Sequence, residues 1–189
     1  MGFSDELLKD SSLSEEMMLE QFERMIAYYQ EMDMEAAMAP SSENLLLPTL
    51  LVELPDDDEG RPRFMNHSFL PLDTEDAEFS QFLQFYVELP DPIDGIDELT
   101  LLRTLNRINQ IMPAGHCAMV EARPEFGLPQ MVYVRHILGY PLGDYVDQGV
   151  FCETLFLVEM SCTLTSTVIS GVASGLTIEE AMAKLSEPD

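Results

Sequence analysis

Met18, Phe22, Met25, Tyr29 and Met32 recur at steps of four and three, so the segment SLSEEMMLEQFERMIAYYQEM carries one apolar stripe at helical spacing. Ser12, with Glu15 three positions on, has the form of a capping box and sets the expected start of that helix. After a break from Pro40 the period changes. NLLLPTLLVELPDDDEGRPRF and SQFLQFYVELPDPIDG each read as a strand closing into a proline-aspartate turn, with VELPD written at both 52–56 and 87–91. Between them FMNHSFLPL is a third apolar-rich run, so residues 45–89 are predicted to form a three-strand antiparallel meander.

Strand parity assigns faces. Leu83, Phe85, Val87 and Leu89 point one way and, with Leu50, Val52 and Leu54, form the predicted core face. The outer set is Phe82, Gln84, Tyr86 and Glu88, matched by Leu47, Thr49, Leu51 and Glu53. That outer face is more apolar than a solvated sheet face needs to be, which predicts a cover: one of the chain's own helices, a subunit or a client.

A second helix is predicted over DELTLLRTLNRINQIM, capped by Asp94 or Asp97, striped by Leu101, Leu102, Leu105, Ile108 and Met112, and stopped at Pro113. Asn109 falls four residues after Leu105, inside the apolar arc, where a buried amide needs backbone partners at the helix end or on the following strand. It is expected to be a structural fastener. After the Pro113–Gly115 turn, HCAMVEA and LPQMVYVRHILGYPL predict a β-hairpin. From Gln148 to Val172 the apolar residues Phe151, Leu155, Val158, Cys162, Ile169 and Val172 keep helical spacing, while TLTSTVIS favours strand; length decides for helix. A short last helix follows Gly175, capped by Thr177 with Glu180. The expectation is one α+β domain over residues 1–189: helix, three-strand antiparallel meander, helix, β-hairpin and C-terminal helices, with 1–11 and 186–189 as flexible ends.

Charge narrows the partners. The chain carries 35 acidic and 9 basic residues, a formal net charge of -26, and residues 1–100 hold 25 of the acids against 4 bases. Such a surface repels phosphate backbones and anionic headgroups, so neither nucleic acid nor membrane is expected as a partner. Cys117, Cys152 and Cys162 cannot all pair within one chain, and the opening MGFSDELLKDSS lacks the form of a signal peptide, which together predict a cytoplasmic protein. The 13 methionines suit either an adaptable binding surface or irregular core packing.

Two stretches carry residue types with catalytic or metal-binding potential. His116, Cys117 and Asn109 supply the residue types of a cysteine hydrolase, but adjacent strand residues face opposite ways, so His116 and Cys117 are not expected to share a proton. The run Asp56–Glu59 lacks the ligand spacing of a calcium loop and reads as solvated. No phosphate-cradling loop, nucleophile elbow or zinc ligand set is written anywhere, so no metal, cofactor or catalytic residue is expected.

The order of elements, with LLRTLNRINQIMPAGHCAMVE running from the central helix through a Pro-Gly turn into an apolar hairpin, resembles the type III secretion chaperone-like fold, and within it the YbjN-like group of bacterial proteins. The resemblance spans roughly residues 13–172 as an order of elements, its sequence-level part being that stretch and the helix downstream. It implies a non-enzymatic, acidic, cytoplasmic protein, often a homodimer, that binds protein segments or serves in regulation. On that basis Leu47, Leu51, Phe82 and Tyr86 are the expected partner-binding positions, with backbone pairing at a sheet edge accompanying them. The alternatives are a small hydrolase using Cys117 and a purely structural dimerisation module.

Overall fold

In a computed structural model, residues 13–42, 45–72, 78–124, 127 and 129–185 are described. The ends expected to be flexible, 1–11 and 186–189, and Ser12 lie outside them. The elements are α1 (Glu15–Glu31), β1 (Ala36–Ala39), β2 (Thr49–Leu54), β3 (Arg63–Phe69), β4 (Ser80–Leu89), α2 (Glu98–Asn109), β5 (His116–Val120), β6 (Met131–Pro141), α3 (Gln148–Ala173) and α4 (Ile178–Lys184). The fold is α+β, with a six-stranded antiparallel sheet in the order β1-β2-β3-β4-β6-β5. Packing groups the chain into two units, one of residues 1–54, 64–86 and 137–154, the other of residues 55–63, 87–136 and 155–189.

In the first unit α1 starts at Ser14, whose hydroxyl accepts from the Met17 N–H, and not at the expected Ser12. Glu15 and Glu16 follow directly, and their charges favour the positive end of the helix there. The stripe is buried as far as Tyr29: Met18, Phe22, Met25 and Tyr29 have no exposed surface, and Phe22 lies 5.2 Å from Phe69 of β3, ring centre to ring centre, whereas Met32 caps the helix end and is half-buried. Burying each such side chain contributes roughly 1.5–3 kcal/mol. Gln21 sits among them with its amide satisfied, Nε2 donating to the Asp144 carbonyl at 2.7 Å.

Strand β1 was not foreseen. Its sequence, AAMA, has little intrinsic strand preference, and pairing with β2 makes it a strand, with Ala37 opposite Leu51 and Ala39 opposite Thr49. Leu47 lies before β2 begins. The predicted core parity is observed on both flanks of the meander, with Leu50, Val52, Leu54, Leu83, Phe85, Val87 and Leu89 all buried.

In the second unit Asp97 caps α2, accepting from the Thr100 N–H at 3.1 Å. Leu101, Thr104, Leu105 and Ile108 face inward, but Leu102, placed in the stripe by its spacing, is 46% exposed. The buried arc is centred on Leu101, Leu105 and Ile108, and Leu102 lies a further hundred degrees or so round the helix. Helix α3 shows how a Ser- and Thr-rich segment stays helical: Ser161, Thr165 and Thr167 return their hydroxyls to the Leu157, Ser161 and Thr163 carbonyls one turn back. By length and composition alone this helix could cross a membrane, yet half of its most apolar window is buried inside the protein. Thr177 and Glu180 form the expected capping box on α4.

Candidate functional site

The outward face of the sheet in the first unit lies opposite α1, because α1 packs on the face that carries His67 and Phe69. Leu51 of β2 stands on the outward face with 41% of its surface exposed. Phe64 of β3, which the sequence reading overlooked, is 43% exposed beside it. Its signal was available in the run RFMNHSF, where Phe64 is out of phase with the buried Met65, His67 and Phe69. Phe82 and Tyr86 of β4 and Leu47 before β2 are half-buried. Ile137 of β6 is exposed, and Gly139 makes room for Phe82: a Cβ there would stand 3.1 Å from the ring.

Leu51 and Phe64, with Ala36 and Ala37, line a notch of about 180 Å³ flanked by Glu35 and Glu53. Phe82 and Tyr86 lie on β4, beyond β3 in the strand order, and Gln84 between them on that strand donates to the Ser68 hydroxyl of β3.

The junction between α2 and β5 brings Asn109 and Cys117 together. Asn109 is exposed rather than buried, yet its amide grips the Cys117 backbone from both sides: Nδ2 donates to the carbonyl at 2.9 Å and Oδ1 accepts from the N–H at 2.8 Å. An amide at a helix exit can serve the next strand from the rim of the arc, so burial is not required. The Cys117 thiol is buried and donates to the Leu105 carbonyl. Burial pushes its pKa up to about 12, which withholds the thiolate that a nucleophile needs. His116 lies exposed on the other side of β5, its ring 6.1 Å from that of Tyr133. Burial likewise raises Cys162 to about 12.

The acidic run is not wholly solvated, contrary to its composition. Asp57 folds back onto its own turn, accepting from the Glu59 and Arg61 N–H groups and from Arg61 Nε. Burial opposes its charge, but those donors outweigh the penalty and hold its carboxyl below the usual range. Arg61 also reaches Asp91, whose side chain is fully buried, at 2.9 Å. Ser166 and Ser170 of α3 donate to the same carboxylate. Burial raises the Asp91 pKa, with Ser166 and Arg61 offsetting part of the rise. A cavity of about 330 Å³ opens beside this network, but on its wall the hydroxyls of Ser166, Thr167, Ser170 and Ser174 are already spent on Asp91 or on helix carbonyls, and that of Thr163 accepts from Arg63. Among the described residues no three His, Cys, Asp or Glu side chains cluster as a metal site.

In the first unit, His67 and Tyr29 form a buried pair with 2.6 Å between Nε2 and the hydroxyl, enclosed by Phe85 and Phe151. Burial lowers the imidazole pKa to about 3 and raises that of the phenol, so both are neutral near pH 7. Neither has surface through which a substrate could reach it. Compared with known protein families and curated proteins, the chain matches no family model and no curated sequence.

Proposed function

We propose that the chain is a non-enzymatic protein-binding or regulatory module of the cytoplasm, built like the secretion chaperones it resembles. It holds a segment of a partner protein against the outward sheet face of its first unit. The observation that carries this reading is the exposed pair Leu51 and Phe64 on a face that also presents Phe82, Tyr86 and Ile137. Apolar groups gathered on one face gain free energy by being covered. The engaged Asn109 amide and the protonated Cys117 thiol weigh against the hydrolase alternative.

Affinity purification from the native host tests the reading. The wild-type chain is expected to retain a stoichiometric protein partner that Phe82→Ser together with Tyr86→Ser releases, with circular dichroism unchanged. Equal recovery by both proteins removes the face from the account. Selective labelling of Cys117 by a thiol-reactive probe at neutral pH would instead favour the enzyme.

A homodimer is the second reading, favoured by α3 of the second unit, where Phe156 is 59% and Met160 44% exposed one turn apart. Light scattering that finds a monomer at every concentration removes it.

A further inference from the structure

We infer that strand β1 and the notch beside it take an extended protein segment carrying an apolar residue and a lysine or arginine two positions apart. This rests on the proposed reading that the outward face binds a protein segment, and it names the edge and the chemistry of the occupant.

Three observations meet at this edge. First, among the described residues β1 is the terminal strand of the sheet, and none of its four residues is charged or proline, the usual protections of an exposed edge. The Glu53 N–H donates to the Glu35 carbonyl, which places 35/53, 37/51 and 39/49 at the hydrogen-bonded positions of the antiparallel ladder. By the alternation of such a ladder, the N–H and C=O groups of Ala36 and Met38 turn away from β2. No turn or cap hydrogen bond among the described residues reaches them.

Second, the notch exists because β1 presents only methyl groups outward. Ala37 beside Leu51 and Phe64 leaves about 180 Å³ that a larger side chain on β1 would have filled. A strand added along β1 sets alternate side chains on this same face, so its residue next to Ala37 enters the notch.

Third, the ladder places Glu35 and Glu53 directly opposite each other on that face, at the rim of the notch, and both are exposed. Like charges at opposed cross-strand positions are destabilising, and among the described residues neither makes an ion pair. Glu35 lies two positions from Ala37, so an added strand that puts an apolar residue in the notch puts the next residue on that face beside the two carboxylates. A lysine or arginine there relieves the repulsion. Edge-to-edge pairing of β1 with the β1 of a second copy does not fit, because residues 33–42 contain no base and would bring glutamate towards glutamate.

The probe is a short, labelled, capped peptide of threonines with one leucine and one arginine two positions apart, titrated against the full chain by fluorescence anisotropy. It is expected to bind, and to weaken by about tenfold or more against Glu35→Gln with Glu53→Gln or against Met38→Pro. Met38→Pro removes an outward N–H without touching the ladder to β2. A peptide with glutamate for arginine, or with its backbone N-methylated along the pairing edge, is expected not to bind. Undiminished binding of the N-methylated peptide, or by Met38→Pro, overturns the edge, since it marks loose attraction to an acidic protein. Undiminished binding by the double glutamine variant overturns the basic requirement. If the peptide fails on wild-type protein that still loses its native partner through Phe82→Ser and Tyr86→Ser, this inference falls and the face reading stands. If the peptide binds as expected while those serines change nothing, the edge stands and the wider face falls.

Discussion

The junction of α2 with β5 and the outward face around Leu51 invert each other. At the junction stand a thiol, an amide and a neighbouring imidazole; the amide is bonded to backbone at both ends, the thiol is buried and protonated, and the imidazole points to the other side of the strand. Around Leu51 the described residues present exposed apolar surface and two opposed carboxylates. Residue type therefore advertises chemistry at the first place and nothing at the second, while the state of engagement points the opposite way. A side chain already committed to holding the chain together has no free bonding capacity for a ligand.

If the polar groups of the second unit are structural, removing one should cost stability. Arg61→Met leaves the Asp91 carboxylate buried with hydroxyls alone, and the expected loss is about 3 kcal/mol by urea denaturation. A loss below about 1 kcal/mol would reclassify Arg61 as a group available to ligands.

The first unit offers the neutral counterpart. The unfolded chain protonates His67 near 6.5, whereas the folded chain resists down to about 3. The unfolded state therefore binds the extra proton between those values, and stability is whole above pH 6.5 and declines as pH falls towards 3. At pH 5 the decline attributable to this residue is about 2 kcal/mol, measured as the difference between wild type and His67→Phe across a pH series.

Asn109→Ala removes both bonds to Cys117 from an exposed site where water partly replaces them, for an expected loss of about 1–2 kcal/mol by thermal denaturation. Leu51→Ser, at the other pole of the comparison, should change stability by no more than about 0.5 kcal/mol while weakening partner capture. A large loss there would mean that the face is an internal surface of the fold.

Much of this architecture is legible in local pattern. Period-two alternation identifies the buried sides of β2 and β4, and helical spacing outweighs the Thr and Val content of α3 because its hydroxyls find carbonyls one turn back. What local pattern misses is whatever depends on a distant partner. AAMA becomes a strand only because β2 lies beside it, and the opposition of Glu35 to Glu53 follows from a register that no window of sequence contains. Asp57 reads as one more solvated acid until Arg61, four residues on, closes over it. Leu51 follows from parity alone, and Phe64 follows equally from the alternation within RFMNHSF, which the apolar richness of that run masks.

Gly115 has φ +74°, and a Cβ at that position would lie 2.3 Å from the Arg135 carbonyl oxygen across the hairpin. Any other residue would force the two strands apart, so the exit from α2 and the phase of β5 are fixed together. Inserting one residue between Gly115 and His116 would carry the sulfur to the wet side of the strand and the imidazole to the dry side. The inertness of Cys117 is thus a matter of counting: a single codon separates a shielded thiol from an oxidisable one.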